Sequence, residues 1–151
     1  MHFTISGLEA ARFSGLRALS EEALTQLGAQ RHVVTQEHAA PCRVSLRDAT
    51  IGETVILTSY EHQNAHGPYR AAGPIFVREA AQETALLSDT LPDCVTRRLI
   101  SVRAYDRRDW IHDAEVADGR SVEGLIRRYL EDPEVAYLHL HYARRGCYAC
   151  R

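Results

Sequence analysis

The sequence predicts an α+β fold: a single domain with a mainly antiparallel or mixed sheet and about three helices. Three observations predict it. The chain has 151 residues, the size of one domain with a substantial core. Short β-type runs recur at varied spacing along its whole length, with a few helical segments between them. No internal repeat, low-complexity stretch or linker divides it.

The elements follow in order. "HFTIS" alternates apolar and polar residues and ends before Gly7, predicting a short strand over 2–6, with a helical stretch soon after. Ser20 before "EEALTQLG" predicts a helix, with Ser20 as N-cap, acidic residues in the first turn and Gly28 past its end. "RHVVTQE" is β-prone. In "PCRVSLRDA" Val44 and Leu46 alternate with polar neighbours and predict another strand, and "DATIGE" a turn. "TVILTSYEH" is the most apolar β-type run and predicts a central strand. The Gly- and Pro-rich "HQNAHGPYRAAGP", 62–74, reads as loop. "IFVRE" predicts a short strand, and "EAAQETALL" carries helix formers. Strands follow in "RRLISVRAYD" and "WIHDAEVADG", separated by a turn over 106–109. Ser121 opens a helix with Val122, Leu125, Ile126, Tyr129 and Leu130 on one face, stopped before Pro133. "VAYLHLHYA" is the last expected strand.

Composition excludes several function classes. Hydrophobic content of 45% and charged content of 25% are those of a water-soluble protein. A formal net charge of −2 leaves no basic excess to neutralise phosphates, so no nucleic-acid partner is expected. No apolar run is long enough to span a bilayer, and the first residues lack a secretory signal, so the expected setting is cytoplasmic, without a membrane partner. All 18 basic residues are arginine. A Schiff-base or phosphate-loop lysine is therefore excluded, and any bound anion must be held by guanidinium or backbone N–H.

"PCRVSLRDATIGE", "SYEH", "GPYRAAGPIFV", "LISVRAYD" and the terminal "GCYAC" together resemble a family of bacterial proteins of unknown function, over most of the chain. The resemblance implies a small, stand-alone bacterial protein. It carries over no activity and no site residue.

The residues themselves name three sites. On a strand His139, His141 and Tyr137 share a face, opposite Leu138, Leu140 and Tyr142. Gly146 permits a turn that brings Cys147 and Cys150 towards the histidines, and two His with two Cys is a tetrahedral zinc set. The Cys-x-x-Cys also admits a redox reading. That reading lacks the following helix that normally activates such a thiol, although Arg144 and Arg145 favour a thiolate at Cys147. Cys42 is a candidate nucleophile with His62, His66, His139 or His141 as base. Cys94 reads as structural.

The third site is an anion pocket. Arg43, Arg70 and Arg103 lie on or beside strands, with Tyr69 in the loop, and an inward-facing arginine needs a carboxylate or a bound anion. Asp48, Glu53 and Glu61 are candidate carboxylates. The leading functional expectation is a pocket lined by Arg43, Arg70, Tyr69, Arg103 and histidine that takes a small anionic molecule, with enzymatic use open. A zinc-stabilised interaction module and a redox-responsive thiol protein are the alternatives. Arg43, Arg103, His139 and His141 lining one cavity is the condition for the enzyme reading. Trp110 and His112 carry no expected chemistry.

Overall fold

The computed structural model describes residues 1–151 and has four α-helices and three antiparallel sheets. β1 (Thr4–Ser6) pairs with β5 (Leu86–Ser88). β2 (Gln30–Val33), β3 (Thr54–Gln63) and β4 (Ala71–Arg78) form a three-stranded sheet with β3 in the middle. β6 (Leu99–Tyr105), β7 (Ile111–Asp118), β8 (Tyr137–Tyr142) and β9 (Tyr148–Cys150) form the largest, in the order β7-β6-β8-β9. The helices are α1 (Ser14–Arg17), α2 (Glu21–Gln26), α3 (Asp93–Thr96) and α4 (Val122–Glu131). The α+β expectation holds, with one helix more than expected.

α2 starts and stops where its sequence says. Ser20 accepts a hydrogen bond from the Ala23 N–H, and Gly28 turns the chain at φ +72°. α4 buries Val122, Leu125, Ile126 and Tyr129 against the four-stranded sheet. Ser121 does not cap it. A 3₁₀ turn over Gly119–Ser121 comes first, and its cap is Asp118, which accepts from Arg120 N–H. Gly119 is required there, because a Cβ would stand 2.0 Å from the Val95 carbonyl oxygen.

The main core lies between α4 and the sheet face carrying Ile100, Val102, Leu138, Leu140 and Tyr142. A second cluster, with Leu8, Phe13, Cys42, Val44, Ile75, Val77 and Tyr148, joins the two larger sheets.

Three expectations fail for physical reasons. The 41–49 segment is no strand: Pro41 bridges Asp48 and Leu46 sits at φ +50°, so the alternating burial of Val44 and Leu46 comes from a tight excursion. The loop after β3 is shorter than expected. β3 runs through Gln63 and β4 starts at Ala71, taking in Gly73 and Pro74. Pro74 is tolerated because β4 is an edge strand and owes no second partner a donor. "EAAQETALL" is turn and β5, since pairing with β1 overrides weak helix propensity. The sequence also hid β9, which follows the turn at Gly146 (φ +77°).

Candidate functional site

The site lies on the sheet face turned away from α4. In the β6–β8 register Arg103 stands opposite His139, Ser101 opposite His141 and Tyr105 opposite Tyr137, so these six share one face. Tyr105 and Tyr137 stack at 5.1 Å. His139 and His141 point the same way, as their i, i+2 spacing dictates, and both are buried.

Two bulges complete the cluster. Glu61 pairs with Ala72 and Gln63 with Ala71, leaving His62 as the extra residue. His62 reaches the face of the other sheet, with its ring centre 5.1 Å from His141 and 6.3 Å from His139. Between β8 and β9, Leu140 pairs with Cys150 and His141 with Tyr148, so Ala149 is extra. Tyr148 thereby joins the histidines, stacked on His62 at 5.2 Å and edge-on to His139 at 5.1 Å. Bulges re-aim side chains in this way beside functional sites.

All three rings are held neutral. Burial pushes His139 down to about 3, helped by the nearby His141, His62, Arg151 and Arg103. Burial takes His141 to about 4, although its Nδ1–H donates to the Gly146 carbonyl at 2.9 Å. That bond fixes the tautomer and leaves Nε2 as the bare acceptor. His62 is also lowered, by burial and then by Arg103. His62 Nδ1, His139 Nδ1 and His141 Nε2 are all buried without a hydrogen-bond partner.

Over this floor opens a polar cavity of about 450 Å³, within the range that holds small molecules. His62, Gln63, Asn64, Asp109, Tyr137, His139, Arg12 and Arg151 are among its walls. Gln63 Nε2 donates to the Tyr137 hydroxyl at 2.7 Å, and that hydroxyl donates to Asp109 Oδ1 at 2.7 Å. Burial raises Tyr137 to about 12, so it remains a phenol. The Arg151 guanidinium lies 4.2 Å over the Tyr137 ring.

The expected carboxylates are spoken for: Asp48 by Arg98, Glu53 by Arg78, and Glu61 by Arg70. Arg103 and Arg151 form no ion pair. Arg43 is buried, donates to the Tyr148 and Pro41 carbonyls, and lies over the Tyr142 ring. It ties β9 to the 41–49 segment and does not line this cavity. Of Arg43, Arg103, His139 and His141, only His139 lines the cavity, so the stated condition for the enzyme reading is not met. Tyr69 and Arg70 do not line the cavity: Arg70 pairs with Glu61 of its wall, and Tyr69 packs edge-on to Trp110.

The zinc set is taken apart by the sheet. Cys150 pairs with Leu140 and joins the main core, on the side away from His139 and His141. Burial raises its thiol well above the usual range, which also disfavours a thiolate pair with Cys147. Three imidazoles on one tetrahedral zinc have ring centres about 5 Å apart. His139 stands 6.3 Å from His62 and 6.2 Å from His141. No three His, Cys, Asp or Glu side chains are arranged to hold a metal ion. Cys42 is fully buried, its sulfur accepting from Ser45 and Arg78 N–H groups, with no histidine bonded to it as a base.

Sequence reasoning missed Gln63, Asp109, Arg12 and Arg151 as cavity residues. His62 it placed in a loop. The i, i+2 spacing made the shared face of Tyr137, His139 and His141 readable, but not the strands and residues that this face meets.

No helix is long and apolar enough to cross a membrane. A family model described as "Protein of unknown function (DUF1203)" matches residues 39–151. No curated protein matches the chain, and no solved structure does.

Proposed function

Because the chain belongs to that DUF1203 family, which is defined without a function, the site has to carry the reading, and we propose that the protein binds a small anionic molecule in the Tyr137–His139 cavity. One observation carries it. Two guanidinium groups, Arg103 and Arg151, stand near three neutral histidines without forming an ion pair, and each lowers the protonation of His139. Such unbalanced charge in a partly desolvated place favours an anion. Arg151 borders the cavity, and Arg12 on its rim has only an exposed contact with Glu9 at 3.5 Å. Arg103 acts from behind, through its positive potential.

His139 is a neutral wall of the cavity in this reading. A group that titrates near 3 stays deprotonated at neutral pH and is poorly matched to shuttle protons there. The setting that fits is a bacterial cytoplasm, where Cys147 stays a thiol.

The test is a thermal-shift and calorimetric titration with phosphate, acetate, malonate and citrate at low ionic strength. At least one is expected to raise Tm saturably, by several degrees at 100 times its Kd. Arg151→Gln is expected to weaken that anion about tenfold or more, the worth of one charge-assisted hydrogen bond. No saturable shift from any of the four, or a shift untouched in an Arg103→Gln/Arg151→Gln variant, overturns the proposal.

A further inference from the structure

The cavity holds a second unbalanced charge, of opposite sign. Asp109 occupies the turn between β6 and β7 at φ +62°, a left-handed conformation that Asp and Asn adopt more readily than most residues. The turn is pinned by Asp106, which accepts from the Arg108 and Trp110 N–H groups. This directs the Asp109 carboxylate to the Tyr137 hydroxyl, its one hydrogen-bonding partner. Asp109 forms no ion pair. Glu61, the other carboxylate of the cavity wall, is already neutralised by Arg70 at 2.9 Å.

One tyrosine therefore separates the two charges. Tyr137 presents its hydroxyl to Asp109 and its ring face to Arg151, and all three border the same space. Asp109 and Arg151 do not neutralise each other; they lie further apart than an ion pair allows. A carboxylate and a guanidinium held apart at the scale of one side chain match a molecule with a cationic and an anionic end. His139 borders the same space and, being neutral, repels neither end.

We infer that the ligand of this cavity is a small zwitterion of the free α-amino acid class, with its ammonium group at Asp109 and its carboxylate at Arg151. The inference rests on the anionic reading above and adds the cationic end. Asp109 weakens simple anions relative to zwitterions without excluding them, and so sets specificity where Arg151 sets affinity.

The experiment compares matched pairs by calorimetry and thermal shift on the full chain. The probes are the standard L-amino acids and, for each of several, the acid lacking the amine: propionate for alanine, glutarate for glutamate, 3-phenylpropionate for phenylalanine. At least one amino acid is expected to bind ten times or more tighter than its deamino partner. Asp109→Asn is the chosen variant because asparagine accepts the same φ and its amide oxygen still accepts from Tyr137. It is expected to collapse that ratio towards one, whereas Arg151→Gln weakens both members of the pair. A deamino acid that binds as tightly as its amino acid, or a ratio that survives Asp109→Asn, overturns the zwitterion and leaves the anionic reading standing. No binding by any member of either set overturns both.

Discussion

Tyr137 is the residue through which the cavity is organised. It accepts from Gln63, donates to Asp109 and supports Arg151 on its ring. Tyr137→Phe keeps the ring and removes both hydrogen bonds. The expected loss is about 1–2 kcal/mol, two modest bonds in a half-buried place. Chemical denaturation measures it, and the same variant should weaken the amino-acid probes because Asp109 loses its anchor. Unchanged stability together with unchanged affinity would remove Tyr137 from the design. Part of this was legible in the sequence. The i, i+2 spacing put Tyr137, His139 and His141 on one face, and so they are. The residues they meet were not legible, since Gln63 and Asp109 lie 74 and 28 positions from Tyr137. Nothing local marks either as a partner. Arg43, by contrast, looked like an anion ligand because it is an inward arginine; backbone carbonyls and a tyrosine face satisfy it instead.

Among the elements, the strand bulges do what regular strands cannot. A regular β8–β9 pairing would alternate strictly; the extra Ala149 lets Tyr148 face the histidines while Cys150 enters the main core. That one irregularity defeats the zinc reading, which assumed that a turn suffices to bring both thiols back. Strand periodicity made β3, β6, β7 and β8 readable, and Ser20 and Gly28 made α2 readable. Bulges carry no such signature, so His62 and Cys150 were misplaced although their strands and turns were nearly right. The turn between β8 and β9 depends on Gly146, at φ +77°, whose carbonyl also fixes the His141 tautomer. Gly146→Ala puts a Cβ into that left-handed conformation and should lower stability by about 1–2 kcal/mol. Denaturation of the variant checks the loss. An alanine variant as stable as the parent would mean that the hairpin is not held in this conformation.

At the scale of the molecule, the two larger sheets meet over Tyr148 and three histidines that folding keeps uncharged. This couples stability to pH with a definite sign. In the unfolded chain His139 and His141 take up protons near the ordinary histidine value of about 6.5. In the folded chain they refuse them until about 3 and 4. Between these limits the unfolded state binds more protons, so stability is fully present above about pH 6.5 and falls as the pH is lowered. Well below 6.5 each of the two histidines contributes a slope of about 1.4 kcal/mol per pH unit, and His62 adds in the same direction. Glu53 acts in a separate window. Its bond to Arg78 holds its carboxyl down to about 2, so its contribution is lost only as the pH falls below the ordinary glutamate value of about 4.3. Urea denaturation at pH 7.5, 6.0 and 5.0 therefore separates the groups. The parent should lose stability steeply between pH 6.0 and 5.0. A His139→Gln/His141→Gln variant, weaker at pH 7.5, should show a much flatter profile over that interval, because glutamine has no proton to gain. Glu53→Gln should leave the slope there unchanged. If the double histidine variant keeps the parent's slope, the buried histidines are not what ties this fold to pH.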